Sequence, residues 1–299
     1  LLPGRRAAPT VHLIEAGVAT VTALDLTSGW PVPHVSAAVL HGGQSVATIG
    51  DADRVQQLAS ISKPMAAWAT LVAVEEGIVQ LDQAIGQPGC TLRHLLAHAG
   101  GYPFEGDDPI ARPGTTRMYS NTGFDLIAQT VETAAGMAFA DYLREAVFVP
   151  LGMQSSVLRG SAAHGVHAHL ADTCRFVGEV MRPTLIHADT AADAERIHYP
   201  ALAGIVPGVG RYELCPWGLG FEVRGTKEPH WTGTTNSPRT FGHFGGSGTM
   251  FWIDPDRDLA LVALADRSFD EWATAALAAW PELSDAVIAE HASDAQVQA

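Results

Sequence analysis

The sequence predicts an α/β fold of the α+β type, in which both ends of the chain build one antiparallel sheet and a mainly helical region is inserted between them. Short apolar and β-branched segments within 35–49 and 219–264 are typical of strands. Between these segments the apolar spacing becomes helical. Since strands at both ends surround a run of helices, we expect one shared sheet, flanked by N- and C-terminal helices. The predicted boundaries are 9–59 with 210–292 for a discontinuous sheet domain, 60–209 for the mainly helical region and 293–299 for a tail.

The first elements are predicted to be a helix and a β-hairpin. Apolar residues within 10–27 lie close to helical spacing, and Gly29 follows as a stop. The segments 35–40 and 45–49 are short and contain β-branched residues, and His41-Gly42-Gly43 separates them. This pattern is typical of two antiparallel strands joined by a tight turn.

The middle of the chain is predicted to be helical, with turns marked by glycine and proline. Gly136 and Pro150 each follow an amphipathic segment, where they would end a helix. Residues 103–116 are rich in Pro, Gly and Asp and are expected to form a loop. The predicted helices are 60–76, 91–98, 121–135, 139–148 and 170–181.

Beyond Trp217 the apolar period returns to two, and the chain is predicted to end in a long helix. An acidic turn that contains Pro255 separates the last two strands. The predicted elements are strands at 219–223, 249–253 and 259–264 and a closing helix at 269–291.

Composition excludes several classes of function. The hydrophobic fraction of 47% and the charged fraction of 17% are ordinary for a compact enzyme. The net charge of -14 argues against binding nucleic acid or an anionic membrane surface. No stretch reaches ~18 uninterrupted apolar residues, so no membrane-spanning segment is predicted.

The three cysteines indicate buried, reduced thiols rather than disulfides. Cys90, Cys174 and Cys215 are odd in number, far apart and in no metal-type spacing. Since no charged segment followed by an apolar one stands at the N-terminus, we expect a cytoplasmic protein. The chain begins at Leu1 rather than Met, so a leader that has been removed stays an open alternative.

Ser60 and Lys63 form a candidate nucleophile and base. On a helix, positions i and i+3 share a face, so Lys63 can reach the hydroxyl of Ser60. A desolvated lysine can give up its proton near neutral pH, unlike an arginine, and can activate a serine. The plain alternative is that Ser60 only caps the helix that follows.

Tyr119, Ser120 and Asn121 end the loop at 103–116 and open a helix. A phenol beside a cationic amine loses its proton more easily and could pass a proton to a leaving group. The alternative is a buried tyrosine followed by an asparagine that caps the helix.

A glycine-rich segment at 241–248 precedes a predicted strand and contains His243. Glycines at this density let the backbone pass close to a ligand and offer N–H groups to an oxyanion, while the histidine can bind substrate or move a proton. The alternative is a flexible turn.

The three motifs together resemble the serine β-lactamase and penicillin-binding protein superfamily, most closely its class C branch and the related serine esterases. Ser60-Ile61-Ser62-Lys63, Tyr119-Ser120-Asn121 and His243-Phe244-Gly245 stand in the order and approximate spacing of that superfamily. Roughly residues 30–265 are covered. Supporting segments include Leu95-Leu96-Ala97-His98-Ala99-Gly100-Gly101, Pro150-Leu151-Gly152-Met153, Trp217-Gly218-Leu219-Gly220 and Trp252-Ile253-Asp254-Pro255.

The resemblance implies a β-lactamase-like fold with the active site in the cleft between the sheet and the helical region. It implies that Ser60 is acylated and that Lys63 and Tyr119 move protons among the nucleophile, the leaving group and water. The division of labour between Lys63 and Tyr119 stays open.

The resemblance also implies four residues that bind the substrate or its oxyanion. Asn121 would bind substrate or orient Lys63, and His243 would face Tyr119 across the cleft. Gly245 and Gly246 would lie at the oxyanion hole, to which the N–H groups of Ser60 and Gly246 contribute.

One departure from the family pattern bears on the substrate. Typical β-lactamases and penicillin-binding proteins carry a lysine in the third motif, where this chain has His243. A neutral imidazole anchors a carboxylate less well than an ammonium group does. We therefore expect a carboxylesterase with weak β-lactam hydrolysis. The alternatives are an acyltransferase, a D-amino-acid amidase or peptidase, and a non-catalytic sensor of the penicillin-binding type.

No cofactor or metal is expected. His164, His167 and His169 form a His-x-x-His-x-His cluster, but no carboxylate or thiol spacing completes a ligand set. The expected partners are small-molecule esters, amides or β-lactams, with no nucleic acid and no membrane. The oligomeric state is left open.

Overall fold

The computed structural model of the chain describes residues 22–297, with side chains as far as residue 291. Most of the helix predicted at 10–27 lies outside the described residues. Its last part is a 3-10 helix, Ala23–Gly29, rather than an α-helix. The closing helix continues beyond its predicted end at residue 291.

Both ends of the described chain contribute to one antiparallel sheet, as predicted. The strands are β1 (Val35–His41), β2 (Gln44–Ile49), β3 (Gln56–Gln57), β4 (Val157–Leu158), β5 (Val166–Ala168), β6 (Gly204–Val206), β7 (Gly210–Tyr212), β8 (Glu222–Val223), β9 (Phe241–Gly245), β10 (Thr249–Asp254) and β11 (Leu259–Ala265). The strand order of the main sheet is β2-β1-β11-β10-β9-β8. Three short strands form a second sheet in the order β3-β5-β4, and β6 pairs with β7.

The helices lie mainly between β2 and β8 in sequence, and most of the predicted ones are present. The helix at 188–195 was not predicted. The helix predicted at 139–148 changes to a π-helical turn over Arg144–Phe148. The α-helices are α1 (Ser62–Glu75), α2 (Leu92–Leu96), α3 (Asn121–Ala135), α4 (Phe139–Leu143), α5 (Leu170–Met181), α6 (Ala188–Glu195) and α7 (Phe269–Val297).

The sheet is buried on both faces, which explains the almost continuous apolar runs of β10 and β11. Alternate residues of β10, such as Phe251 and Trp252, point to opposite faces. Phe251 belongs to a core shared with α1 and α5, where Trp68 meets Phe176 edge-on. Trp252 belongs to a second core, shared with Trp280 of α7. The sheet therefore lies between the helical region and the closing helix.

The glycine-rich segment at 241–248, for which a flexible turn was the plain alternative, is partly a strand. Residues Phe241–Gly245 form β9, which pairs with β10 in antiparallel register. A Cβ at Gly242 would lie 2.2 Å from the carbonyl oxygen of Phe251. The glycine is therefore needed for close strand pairing as well as for flexibility.

Two expectations from composition can be compared with the described chain. Cys90, Cys174 and Cys215 are buried and unpaired, as predicted. Within residues 22–297, no helix combines the length and the apolar character that crossing a bilayer requires.

Candidate active site

Ser60 lies in a short 3-10 helix, Ala59–Ile61, that leads directly into α1. The residue before it, Ala59, has a left-handed backbone with φ +47°, which is uncommon and costly for a residue other than glycine. Ser62 holds this turn in place, because its hydroxyl donates to the Ala59 carbonyl at 2.6 Å and accepts from the Val166 N–H at 2.9 Å. The strained turn presents Ser60 at the start of the most deeply buried helix.

Lys63 lies on the same face as Ser60, as the spacing predicts. Its Nζ is 3.4 Å from Ser60 Oγ, 2.6 Å from Asn121 Oδ1 and 3.0 Å from the Ala163 carbonyl oxygen. It also lies 4.6 Å from the centroid of the Tyr119 ring. The side chain is fully buried, and each of its hydrogen-bond partners is an uncharged oxygen.

This environment lowers the pKa of Lys63 to about 7. Burial is the main cause, because it disfavours the charged ammonium group. The carboxylates of Asp125 and Glu105 act in the opposite direction and keep the pKa from falling further. A lysine with this pKa is partly neutral near pH 7 and can accept a proton.

Asn121 is the first residue of α3 and links Lys63 to a carboxylate. Its Oδ1 accepts from Lys63, and its Nδ2 donates to Glu105 Oε1 at 2.6 Å. Ser120 caps α3, since its hydroxyl accepts from the Gly123 N–H at 2.9 Å. The helix cap is therefore Ser120, and the Asn121 side chain is free to face the site.

Tyr119 lies beside His243, with their ring centroids 5.7 Å apart. Its hydroxyl lies 3.5 Å from His243 Nε2. Burial raises the pKa of Tyr119 above its ordinary value, although the Ser60 hydroxyl acts in the opposite direction. The expectation that a neighbouring amine makes this phenol more acidic is thus wrong, because loss of solvent outweighs the local contacts.

His243 is buried on β9 and is neutral. Burial, followed by the charge of Lys63, lowers the pKa of His243 to about 3. Its Nδ1 is 2.7 Å from the Phe244 carbonyl oxygen, which can only accept, so Nδ1 carries the proton. The lone pair of Nε2 therefore faces the Tyr119 hydroxyl.

Gly245 and Gly246 bring the end of β9 against the turn that holds Ser60. A Cβ at Gly245 would lie 2.3 Å from the Leu58 carbonyl oxygen and 3.2 Å from the Ser60 nitrogen, so only glycine fits there. Thr249 of β10 also holds this turn against the sheet by donating to the Leu58 carbonyl at 2.8 Å. Gly246, by contrast, has open space where a Cβ would stand.

A cavity of about 210 Å³ lies over these residues. The structure thus brings all seven residues of the predicted site together. Ser60, Tyr119, His243 and Gly246 line the cavity directly. Lys63 and Asn121 lie beneath Ser60, and Gly245 touches the backbone beside it.

Glu222, which the sequence analysis did not single out, also lines this cavity. Its Oε1 lies 2.6 Å from Lys227 Nζ and 3.2 Å from His230 Nε2, and its Oε2 accepts from Trp231 Nε1 at 2.7 Å. Burial opposes ionisation of Glu222, but Lys227 and His230 outweigh burial and hold its pKa below the usual range. The sequence offered one signal that could have identified this ion pair: lysine is rare in the chain, and Lys227 is the second of its two lysines.

His98 is a second residue that the motifs alone did not identify. Its ring lies 4.6 Å from the Tyr119 ring, and its Nδ1 accepts from the Ser120 N–H at 3.2 Å. Burial and the charge of Lys63 lower the pKa of His98 well below its ordinary value. A neutral imidazole therefore packs against Tyr119 and holds the backbone of Ser120.

The histidine cluster at 164–169 has structural contacts. His169 caps α5 by accepting from the Asp172 N–H at 3.0 Å, and His167 Nδ1 lies 3.0 Å from the Gly165 carbonyl oxygen. Among the described residues, no group of three or more His, Cys, Asp or Glu side chains is arranged to hold a metal ion.

The fold places the chain among proteins of the β-lactamase and penicillin-binding type, a family of serine hydrolases. The family model for Beta-lactamase matches residues 26–282, so the chain belongs to this family. The resemblance and the fold class predicted from the sequence are confirmed.

A β-lactamase from Mycobacterium bovis is 50% identical, with a TM-score of 0.88 over 90% of this chain and 99% of that one. Penicillin-binding protein 4* from Bacillus subtilis is 32% identical over an alignment of 133 positions, and this match covers 33% of this chain. The match spans only 30% of that relative's own length. The hydrolase EstCE1 shares the fold alone, with a TM-score of 0.72 at 16% identity over 89% of this chain and 95% of that one.

Proposed function

We propose that this chain forms an acyl-enzyme on Ser60 and that small carboxylic esters are its preferred substrates. The observation that carries the proposal is the contact of Lys63 Nζ with Ser60 Oγ at 3.4 Å, made by a lysine whose pKa is lowered to about 7. Such an amine can accept a proton at neutral pH. Membership of the family supports the reaction class.

In the proposed acylation, neutral Lys63 accepts the hydroxyl proton as Ser60 Oγ bonds to the carbonyl carbon. The carbonyl oxygen becomes an oxyanion, which the N–H groups of Ser60 and Gly246 stabilise. Tyr119 gives its phenolic proton to the leaving alcohol oxygen as the carbon–oxygen bond breaks, and the proton held by Lys63 replaces it. Water then attacks the carbonyl carbon of the acyl-enzyme, and the protons move along the same path in the opposite direction. The carboxylic acid is released and Ser60 regains its proton.

The charges around the cavity favour esters over β-lactams, which carry a carboxylate. His243 is neutral, and the carboxylates of Glu222 and Asp270 line the cavity. Among the described residues that line it, none is Arg or Lys. A substrate carboxylate would thus find no cation at this wall, whereas a neutral ester needs none.

Weak β-lactam hydrolysis is the second activity that an observation supports, since the M. bovis relative at 50% identity is a β-lactamase. Acyl transfer to an alcohol or amine is the related alternative, because EstCE1 is described as a hydrolase with promiscuous acyltransferase activity. Both would proceed through the same acyl-enzyme.

The test is a paired assay of the wild type and Ser60→Ala with a chromogenic short-chain ester and a chromogenic cephalosporin. Ser28→Ala, an exposed serine in the 3-10 helix Ala23–Gly29, is the matched control. We expect ester turnover that is lost in Ser60→Ala only, with little cephalosporin hydrolysis. Ester turnover that survives in Ser60→Ala would overturn the mechanism, and fast cephalosporin turnover would overturn the substrate preference.

A further inference from the structure

A second cavity, a groove of about 480 Å³, adjoins the catalytic cavity. Its volume is in the range of sites that bind small molecules. Phe104, Tyr119 and Pro207 line both cavities, so the two adjoin at the Tyr119 ring. We call this second cavity the Ile205 groove; its other apolar walls include Ile110 and Ile205.

Three exposed large apolar side chains surround the Ile205 groove. Phe104, Ile110 and Ile205 are 51%, 67% and 53% exposed. A single exposed apolar residue needs no explanation, but three around one groove that adjoins a catalytic cavity indicate a binding surface. The groove is therefore suited to an apolar group.

Arg117 lines the groove and is held in place by backbone carbonyls. Arg117 is buried, and its guanidinium donates to the backbone carbonyls of Ala97, His198, Tyr199 and Cys215. Its backbone N–H donates to the Ala203 carbonyl at 2.8 Å. A Cβ at Gly204 would lie 2.5 Å from Arg117 Cβ, so glycine allows this close contact.

The hairpin of β6 and β7 forms one wall and carries a cation at its rim. Ile205 faces Arg211 across the hairpin, so their side chains share one face. Val206, the next residue, lines the catalytic cavity instead. Arg211 is exposed, and no described residue forms a hydrogen bond or an ion pair with its guanidinium.

We propose that the Ile205 groove binds the alcohol half of the ester, and that this half is an apolar chain with an anionic group that reaches Arg211. The inference rests on the proposed hydrolysis at Ser60. In that reaction Tyr119 protonates the leaving oxygen, so the group attached to this oxygen lies on the Tyr119 side. The groove adjoins the catalytic cavity at Tyr119, so it is the apolar space on that side that can hold the alcohol.

The experiment compares kcat/KM for four esters: ethyl acetate, hexyl acetate, 6-acetoxyhexanoate and ethyl hexanoate. The groove variants are Ile205→Trp and Ile110→Trp, each of which fills the space from an exposed position. The matched control is Val46→Trp, which is also 53% exposed but lies on the edge strand β2.

The expected result is a fall of about 10-fold or more in the kcat/KM for hexyl acetate relative to that for ethyl acetate, in both groove variants. The ratio of ethyl hexanoate to ethyl acetate should stay constant, and Val46→Trp should change neither ratio. Arg211→Gln should lower the preference for 6-acetoxyhexanoate over hexyl acetate by about 2- to 5-fold, as expected for an exposed ion pair.

Three results would overturn the assignment in distinguishable ways. Unchanged ratios in both groove variants would show that the groove does not bind this half of the substrate. If kcat/KM falls for ethyl hexanoate instead of for hexyl acetate, the groove binds the acyl half of the ester. Absence of any hydrolysis that depends on Ser60 would overturn the proposed function, and the groove assignment with it.

Discussion

The two lysines of the chain are both buried, yet their surroundings differ in one respect. Lys63 contacts the uncharged oxygens of Ser60, Asn121 and Ala163. Lys227 lies 2.6 Å from the carboxylate of Glu222. The first lysine is therefore buried beside neutral dipoles, and the second is buried in an ion pair.

This difference decides what each region can do. Burial without a close carboxylate lowers the pKa of Lys63 to about 7, so that its proton is available for exchange. In the other region, Lys227 and His230 keep the pKa of Glu222 below its usual range, so the carboxylate stays charged. A buried lysine is thus suited to proton transfer or to structure according to the charge of its partner.

The largest expected effect comes from removing the first lysine. Lys63→Met should lower kcat/KM for esters by about 10²- to 10⁴-fold, because the base is lost and the side-chain volume is nearly kept. The measurement is ester hydrolysis with the folded state checked by circular dichroism. A folded Lys63→Met variant with near wild-type activity would show that another group accepts the proton of Ser60.

Removing the second lysine should instead affect stability. Lys227→Met leaves Glu222 buried without its main partner, which should lower the free energy of unfolding by about 3–5 kcal/mol. The measurement is denaturant-induced unfolding. The double variant Lys227→Met/Glu222→Gln is the control, and it should recover much of the loss since no unpaired charge remains. An unchanged unfolding midpoint in Lys227→Met would contradict the structural role of the ion pair.

Giving Lys63 a charged partner should remove the difference between the two lysines. Asn121→Asp places a carboxylate where Oδ1 now accepts from Nζ at 2.6 Å, the distance found between Lys227 and Glu222. An opposite charge at this distance should raise the pKa of Lys63 by about 1–3 units. Since neutral Lys63 is the active form, the acidic limb of kcat/KM should move from near pH 7 to higher pH.

The pH profile of hydrolysis measures this shift. Glu105 now accepts from the Asn121 amide, and an aspartate would repel it, so the same profile is recorded in the Glu105→Gln background. The limb should move upward there as well. A fall in rate that is equal at all pH values would mean that Asn121 binds substrate and does not set the pKa of Lys63.

Much of the fold could be read from local patterns. Short apolar and β-branched segments predicted the hairpin of β1 and β2 and the strands β10 and β11, since such runs depend only on which faces are buried. The strand β9 was not predicted, because the density of glycine at 241–248 is typical of a loop. It becomes a strand because β10 needs a partner whose backbone can approach closely.

Ser60 and Lys63 meet because of their spacing in the sequence, since three residues along a helix bring two side chains onto one face. The family motifs also indicated Tyr119, Asn121 and His243. The proton affinities of these groups, in contrast, depend on three-dimensional packing. Desolvation depends on what packs around a group from distant parts of the chain, and it moves the pKa of Lys63 down and that of Tyr119 up.

The same reason explains what the motifs did not contain. The ion pair of Glu222 and Lys227 joins a strand to the loop after it, and the Ile205 groove joins a loop to a hairpin nearly a hundred residues away. Neither has a local pattern, because a cavity or a buried charge pair exists only after separate segments have packed together. The order of the motifs follows from the sequence, whereas the proton affinities and the shape of the substrate space follow from packing.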